Sequence, residues 1–275
     1  MISIIIPTLN EEKYLPLLLD SIKKQDLKEK YEIIVADAGS TDNTAVIAKN
    51  YNCRIARGGL PAKGRNEGAK AARGDLFLFL DAEVLLPDSF LRNLLKEFKA
   101  KQLDIASCSL LPIGAEWVPK TIPPAHFLYD IFYNQPALFL QAALPYACSL
   151  VLVKKALHRE ISGFDETIQL SEDHDYARRA AKIGRFGFLN QKLSFFVRRY
   201  RKEGILTTSL KYLACNLLNV LGIRIKSGIL NYSFEKISDN KEKPAGNILR
   251  QALWMSFGPR RFFDTPFSLK VEYVP

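Results

Sequence analysis

This sequence of 275 residues has few of the side chains that build thiolate metal sites or disulfide-stabilised folds. Its cysteines are widely separated and form no C-x-x-C pair: Cys53, Cys108, Cys148 and Cys215. This spacing argues against a zinc motif and a disulfide framework, so we expect reduced core cysteines. The sequence contains only 3 histidines, and it has no internal repeat or low-complexity tract.

Signals for export and membrane insertion are also missing. A β-branched strand pattern follows Met1 directly, without a basic and apolar leader, so we expect a cytoplasmic protein. Near residues 205–225, leucines recur at three- and four-residue spacing, which predicts an amphipathic helix. Lys211 and Arg224 interrupt that apolar pattern, which argues against a membrane-spanning helix.

What the sequence does contain is an alternation of strand and helix patterns. With 48% hydrophobic residues, the chain can bury a sizeable core as one α/β domain with an appendage. Strands are predicted at residues 2–6, 32–37, 53–56 and 77–80, and helices at residues 11–24, from 43 onward and 63–72. This order predicts βαβ units and a mostly parallel sheet.

Two acids, Asp81 and Glu83, follow the most apolar of these strands. Ligands of open α/β sheets bind just beyond the carboxyl ends of the strands. Carboxylates bind Mg²⁺, which takes further oxygens from water and from substrate phosphates. The pair therefore suggests a metal-bound phosphate ligand, and a strand-end turn with solvated acids is the alternative.

Six short motifs occur in the order found in family 2 glycosyltransferases of the GT-A fold, which the chain resembles over roughly residues 1–200. The motifs are IIPTLNEE at 5–12, VADAGSTD at 35–42, RNEGA at 65–69, LDAE at 80–83, GFDE at 163–166 and EDHD at 172–175. The resemblance implies a nucleotide-diphosphate-sugar donor, bound mainly by residues 1–108. It implies an acceptor half at 109–203, followed by a helical appendage at 204–275.

For the donor, the resemblance implies contacts to base, ribose and phosphates from Pro7, Thr8, Asn10, Glu11, Asp37 and Arg65. Asp37 would accept a hydrogen bond from the base, but a carboxylate accepts equally from uracil and guanine, so UDP and GDP both stay possible. The alternative for Glu11 is an acid stabilised at a helix start, and for Asp37 it is turn capping, the role we expect for Asp42.

The resemblance also implies a divalent cation, Mg²⁺ or Mn²⁺, held by Asp81 and Glu83. Glu83 replaces the more common second aspartate, and its longer side chain favours a water-mediated contact. No histidine follows the predicted strand at 192–197, where three arginines stand instead: Arg198, Arg199 and Arg201. One of them, with Arg199 and Arg201 favoured, is expected to hold the leaving diphosphate. A basic surface turn is the alternative.

Asp173 is the candidate general base by the same resemblance. Ser171 is predicted to be the N-cap of the helix, which places Asp173 in its first turn. Sugar transfer with inversion needs one carboxylate to remove the proton of the acceptor hydroxyl as its oxygen attacks. Glu172 and Asp175 are the alternatives, and a retaining outcome stays open.

The acceptor is expected to be a hydroxyl or phosphate group on a glycan or a polyprenyl-phosphate. An aromatic stretch at residues 126–141 is predicted to form a helix that lines the acceptor groove. The net charge of +10, and the aromatic and arginine cluster within residues 205–263, favour peripheral binding to an anionic membrane.

Two other function classes fit the sequence less well. The acids after the strand would repel a nucleic-acid backbone, and no nucleic-acid motif occurs, so nucleic acid is not an expected partner. A metal-dependent sugar nucleotidyltransferase is the nearer alternative, but the first strand is followed by Pro7-Thr8-Leu9-Asn10-Glu11 and not by a glycine-rich phosphate loop. Release of a nucleoside diphosphate, not pyrophosphate, would separate the two enzymes.

Overall fold

The computed structural model describes residues 1–114, 125–168 and 170–198. Within these residues one sheet contains eight strands in the spatial order β3-β2-β1-β4-β7-β6-β8-β5. The strands are β1 Ile2–Thr8, β2 Tyr31–Asp37, β3 Arg54–Arg57, β4 Leu76–Leu80, β5 Val84–Leu85, β6 Ile105–Ile113, β7 Leu150–Lys154 and β8 Phe186–Phe196.

The helices are α1 Leu15–Lys23, α2 Thr44–Asn50, α3 Pro61–Ala71, α4 Phe90–Ala100, α5 Ala125–Tyr129, α6 Gln135–Leu140, α7 Lys155–Glu160 and α8 Glu172–Ala181. A π-helical segment, Asp130–Asn134, joins α5 to α6. In the described part of the chain, no helix combines the length and apolarity that crossing a membrane requires.

Most strands of the sheet run in one direction. Strands β1 to β4 are mutually parallel, β7 is antiparallel to both β4 and β6, and β8 is parallel to β6. Strands β6 and β8 therefore run in the same direction as β4, and only β7 and β5 are reversed. The predicted α/β fold is confirmed, and the carboxyl ends of β1, β2, β4, β6 and β8 share one edge.

The core is divided by the sheet because successive side chains of a strand point to opposite faces. On one face, Ile4, Ile6 and Leu78 pack with the apolar sides of α1 and α4. On the other, Ile5, Phe77 and Phe79 pack with α3 and α8. Each strand of this central group is covered on both faces, which explains its nearly continuous apolar sequence.

Several boundaries differ from the predicted ones. The helix predicted from residue 11 begins at Leu15, since residues 12–14 form a turn. Ser171 stands at the N-cap position of α8, but its φ is 64° and its side chain makes no capping bond. The prediction that Ser171 is the N-cap residue of α8 is confirmed. Strands β5 and β6 and helix α4 were not predicted.

Three further sequence predictions concern the aromatic stretch, the cysteines and the segment after residue 204. Helix formation in the 126–141 stretch is confirmed, with the π-helical segment inside it. Cys53, Cys108 and Cys148 are free thiols, while Cys215 lies outside the described residues. The amphipathic segment and the aromatic and arginine cluster of residues 205–263 also lie outside them.

Candidate active site

Loops that follow β1 and β2 are joined to each other at the shared sheet edge. Thr8 and Asp37 are register partners at the ends of these strands, and the Thr8 hydroxyl donates to Asp37 Oδ1 at 3.1 Å. Two residues later, the backbone amide of Asn10 donates to Ser40 Oγ at 2.9 Å. Asn10 has a φ of 57°, a left-handed conformation that asparagine tolerates better than most residues.

The Asp37 carboxylate caps the turn after β2. Besides Thr8, it accepts hydrogen bonds from the amide groups of Gly39 and Ser40 at 3.1 and 3.0 Å, and from the Ser40 hydroxyl. Four bonds fill the acceptor capacity of a carboxylate. For Asp37 to accept from a nucleotide base, the Thr8 or Ser40 hydroxyl must therefore turn away. Asp42 also caps, accepting from the Thr44 amide at 3.0 Å.

Arg198, just after β8, forms ion pairs with both Glu11 and Glu83. Its Nη2 and Nη1 atoms donate to the two oxygens of Glu11 at 2.6 and 3.1 Å, and its Nε pairs with Glu83 Oε2. The guanidinium also lies 5.2 Å from the centre of the Tyr14 ring. Arg198 thus ties the first loop, the loop after β4 and the end of β8 together.

Glu11 is 7% exposed, and burial raises the pKa of its carboxyl to about 7. The paired Arg198 opposes this rise, while the nearby Glu83 carboxylate adds to it. The free-acid form of Glu11 is therefore accessible near neutral pH. Its backbone amide donates to Thr44 Oγ1 at 2.7 Å, so the main chain at Glu11 is also fixed.

Arg65 in α3 connects Asp81 to helix α8. Its Nη2 donates to Asp81 Oδ1 at 2.7 Å, and its Nη1 pairs with Glu172 Oε1. Arg65 is only 4% exposed, and its guanidinium lies 5.3 Å from the centre of the Phe164 ring. A buried arginine that forks to two acids joins the end of β4 to the beginning of α8.

Asp173 occupies the second position of α8, beside Glu172. Its Oδ1 accepts from the His174 amide at 3.0 Å. Burial raises the pKa of Asp173 to about 6; Arg65 opposes the shift and the nearby Asp81 carboxylate adds to it. A carboxylate with a pKa of about 6 is a stronger base than an ordinary aspartate and is still ionised at neutral pH, which suits it to accept a proton.

The histidines near this edge are poor candidates for acid–base work. Burial lowers the pKa values of His174 and His158 to about 4, so both are neutral near pH 7. His158 Nδ1 shares a hydrogen bond of 2.8 Å with the Tyr176 hydroxyl, within the core. The His174 ring packs 4.3 Å from the Tyr146 ring, which indicates a structural role for this residue.

The acids of the edge fit a divalent cation only in part. Asp81 is partly exposed, and Arg65 binds one of its oxygens, which leaves the other available to a cation. Glu83 is paired with Arg198. Among the described residues no group of three potential ligands is close enough to form a metal site. Asp81 therefore suits a cation that takes most of its ligands from substrate phosphates and water, as Mg²⁺ often does.

The predicted site residues are distributed along this edge as follows. Pro7, Thr8, Asn10 and Asp37 lie in the joined loops after β1 and β2, while Arg65, Asp81 and Asp173 lie around the fork of Arg65. Arg199 and Arg201 lie outside the described residues. Their neighbour Arg198, also one of the three arginines considered, lies within the described residues and contacts Glu11 and Glu83.

Sequence reasoning missed the partners of these residues. Nothing in the sequence pairs Arg65 with Glu172 or Arg198 with Glu11. The available signal was the run of arginines after the last predicted strand, which could not tell which of them points to the sheet edge. In the described part of the chain, Arg198 is seen to contact Glu11 and Glu83.

Comparison with known proteins places the chain among sugar transferases. The family model described as glycosyl transferase family 2 matches residues 3–161, which is more than half of the chain. The poly(ribitol-phosphate) beta-N-acetylglucosaminyltransferase TarS of Staphylococcus aureus is 31% identical over 129 residues, covering 44% of this chain and 22% of that protein. The uncharacterized glycosyltransferase EpsJ of Bacillus subtilis is 28% identical over 191 residues, covering 64% of this chain and 54% of EpsJ.

Solved structures share the fold. The mannosyltransferase PcManGT of Pyrobaculum calidifontis, in complex with GDP-Man and Mn²⁺, has a TM-score of 0.63 at 18% identity, covering 94% of this chain and 70% of that one. TarS residues 1–349 in complex with UDP have a TM-score of 0.55 at 24% identity, covering 71% and 60%. The sequence match to TarS covers about a fifth of the length of the curated TarS sequence. By the extent of its match to the family model, the chain belongs to glycosyl transferase family 2.

Proposed function

We propose that this chain is a glycosyltransferase that moves a sugar from a UDP- or GDP-linked donor to a hydroxyl or phosphate acceptor, with inversion at the anomeric carbon. The observation that carries this proposal is the fork of Arg65, which brings the end of β4 and the first turn of α8 together. Asp81 stands on the donor side of that fork, and Asp173 stands on the acceptor side.

The donor would bind at the loops after β1 and β2. The Thr8 hydroxyl and the Asn10 backbone amide lie in these loops. Asp37 can accept a hydrogen bond from the nucleotide base once the hydroxyl of Thr8 or Ser40 turns away. Relatives support both base types, since TarS is described in complex with UDP and PcManGT in complex with GDP-Man. The choice between them is left to experiment.

Asp173 would act as the general base. The acceptor oxygen attacks the anomeric carbon, its proton passes to the Asp173 carboxylate, and the bond from that carbon to the diphosphate breaks on the opposite face. The nucleoside diphosphate leaves with the electron pair of the broken bond. With a pKa of about 6, Asp173 is mostly ionised near pH 7 and can still take the proton.

We further propose that a divalent cation, Mg²⁺ or Mn²⁺, is needed and that Asp81 is its protein ligand. When bound, such a cation neutralises the negative charge that develops on the leaving diphosphate. Mn²⁺ is present in the PcManGT complex and in the glucosyl-3-phosphoglycerate synthase of Mycobacterium tuberculosis, which support this requirement. Glu83 would reach the cation only through water or by giving up Arg198.

For the acceptor we propose a glycan or a polyprenyl-phosphate-linked sugar of the cell envelope, reached from the membrane surface. Relatives named as acting on poly(ribitol-phosphate) and on a dolichyl phosphate sugar support this class of acceptor. Membrane binding rests on sequence alone, on the net charge of +10 and on residues 205–263.

The test is to incubate the purified chain with UDP-GlcNAc or GDP-Man and Mn²⁺ and to identify the nucleotide product. Release of UDP or GDP, dependent on the cation and stimulated by an acceptor extract, is expected. Release of pyrophosphate from a nucleoside triphosphate and a sugar phosphate would instead establish a nucleotidyltransferase. Absence of nucleotide binding and of either product would overturn the proposal.

A further inference from the structure

Two consecutive residues of α3 reach from the donor half of the domain into the acceptor half. Arg65 contacts Glu172 at the start of α8, as described above. Asn66 holds the turn before α8: its amide nitrogen donates to the Phe164 carbonyl at 2.9 Å, and its oxygen accepts from the Phe164 amide at 2.8 Å. Helix α3 therefore positions both the turn and the helix that carries the candidate base.

The position of α3 itself is fixed by close packing on β1. A Cβ atom added at Gly68 would lie 2.3 Å from Ile5 Cγ2, and one added at Gly64 would lie 3.0 Å from the Pro7 side chain. Only glycine permits this approach. The backbone of α3 around Arg65 is thus packed closely against β1, the strand that ends at the donor loops. The Cα atom of Arg65 therefore has a well-defined position.

Helix α3 contacts both the turn before α8 and the first residue of α8. Ser171 provides no side-chain cap, and Gly163 in the preceding turn has a φ of 71° that favours glycine. A Cβ atom at Gly163 would lie 2.6 Å from Asn66 Oδ1, so the turn is also shaped to α3. Glu172, the first residue of α8, is 8% exposed, and Arg65 is the cation that pairs with it.

The charge of Arg65 can connect ligand binding near Asp81 with the position of the first turn of α8. Arg65 brings one positive charge to Asp81 and Glu172, and its field also reaches Asp173. A change in the charge around Asp81, such as the arrival of a cation and a diphosphate, would alter how strongly Arg65 is attracted to Glu172. The orientation of the first turn of α8, including Asp173, would change with it. Such a link acts equally in both directions.

We propose that Arg65 is a positioning residue that couples occupancy of the donor site at Asp81 to the placement of Asp173, acting through Glu172. This inference rests on the proposed function. Arg65 does not exchange protons or contact the reacting atoms in this scheme. Its role requires the two-pronged guanidinium, because a lysine carries the charge but offers a single ammonium to two acids.

The experiment measures amide hydrogen exchange of residues 172–180 with and without Mn²⁺ plus UDP, or Mn²⁺ plus GDP. In the wild-type chain, nucleotide is expected to slow this exchange by about tenfold. In Arg65→Lys and in Glu172→Gln the nucleotide should still bind, but the slowing should be lost. Lys70→Gln is the matched control, because Lys70 is an exposed residue of the same helix and its ion pair is with Glu67, not with Asp81 or Glu172.

Kinetics of nucleotide release provide the second measurement. Arg65→Lys and Glu172→Gln are expected to lower kcat by about tenfold or more, with the donor KM changed by less than about threefold. Glu172→Gln keeps an oxygen for the Arg65 hydrogen bond, so it serves as the deciding variant if Arg65→Lys fails to fold. Lys70→Gln should match the wild type.

The outcomes separate the two proposals. A wild-type chain that binds neither nucleotide and releases none overturns the proposed function, and the coupling with it. A wild-type chain that binds and releases nucleotide, with a folded Glu172→Gln variant that shows the same exchange slowing and the same kcat, overturns the role of Arg65 alone. Loss of the slowing together with the kcat effect supports the coupling.

Discussion

Arg198 and Glu83 form an ion pair between the end of β8 and the loop that follows β4. The same guanidinium binds both oxygens of Glu11, so three separate segments meet on one side chain. The carboxylate of Glu83 is therefore already paired with a positively charged side chain of the protein. Asp81, two residues earlier, shares its charge with Arg65 through one oxygen only.

This difference predicts unequal effects of substituting the two acids. Asp81→Asn should abolish Mn²⁺-dependent nucleotide binding, because a neutral amide cannot replace a carboxylate ligand, while Arg65 still finds an oxygen acceptor. Glu83→Gln should weaken binding far less. Isothermal titration of UDP and GDP with Mn²⁺ measures both effects.

Asp88→Asn is the control for these variants, because Asp88 is an exposed acid of the same β4–α4 connection. Circular dichroism checks that each variant is folded. Unchanged nucleotide affinity in Asp81→Asn would contradict the assignment of Asp81. A larger loss in Glu83→Gln than in Asp81→Asn would reverse the roles of the two acids.

Asp173→Asn should lose about 10²–10⁴-fold in turnover and still bind the donor, since asparagine keeps the shape but cannot take a proton. Nucleotide release measures turnover, and titration with UDP or GDP measures binding. Glu160→Gln, an exposed acid at the end of α7, is the control. Wild-type turnover in Asp173→Asn, or a greater loss in Glu172→Gln, would mean that another acid is the base.

Turnover should fall by about tenfold per pH unit below pH 6, because the base must be ionised and its pKa lies at about 6. The profile of kcat from pH 5 to pH 8 measures this. Above pH 7 the rate should be level with respect to this group. A profile that is flat down to pH 5 would contradict the raised pKa of Asp173.

The same raised pKa has a consequence for stability. The folded chain holds the Asp173 proton up to about pH 6, whereas an unfolded aspartate releases it near 3.8. Stability therefore falls as the pH rises through this window. Asp173→Asn removes that loss, so it should be more stable than the wild type by about 2–3 kcal/mol at pH 8 but not at pH 4. Urea unfolding at both pH values tests the difference, and Glu160→Gln should show none.

Gly68→Ala should destabilise the fold by about 1–3 kcal/mol, because the new methyl group would overlap Ile5 in the α3–β1 contact. The sign is informative, since alanine is ordinarily favoured over glycine inside a helix by about 1 kcal/mol. Urea unfolding measures the change. Lys70→Ala, at an exposed position of the same helix, should have little effect, and a stabilised Gly68→Ala would contradict the close packing.

Residues 205–263 should bind anionic membranes, with each well-placed Lys or Arg contributing roughly 1 kcal/mol. Flotation with vesicles containing phosphatidylserine measures binding, which should weaken as salt is added. The variant that combines Trp254→Ala, Arg260→Ala and Arg261→Ala should float less. A chain that stays unbound at low salt would rule out the proposed attachment.

Local patterns in the sequence were enough to identify the elements that carry the main acids. A short apolar run followed by Asp81 and Glu83 predicted a buried strand with acids at its carboxyl end, and β4 ends at Leu80. The sequence also predicted a helix with Asp173 in its first turn, and α8 begins at Glu172. These features depend on residues close in sequence, where hydrophobic period and turn chemistry determine the conformation.

Strands β5 and β6 were not predicted, because their conformation depends on pairing with distant strands and not on a local pattern. Strand β6 contains Ser107, Ser109 and Pro112 among its apolar residues, so its sequence has no regular alternation. It lies between β7 and β8, and pairing with them decides its conformation. Strand β5 has two residues and exists only through its pairing with β8.

The sequence by itself determined the α/β class, the family motifs and the acids at strand and helix ends. Only the tertiary structure decided which charges meet: Arg65 and Glu172 are 107 positions apart, and Arg198 and Glu11 are 187 apart. Such pairs leave no local pattern, because their contact depends on strand order and on the face from which each side chain emerges. Burial then sets their energetics, since an acid removed from water holds its proton more tightly, and burial is a property of the folded chain.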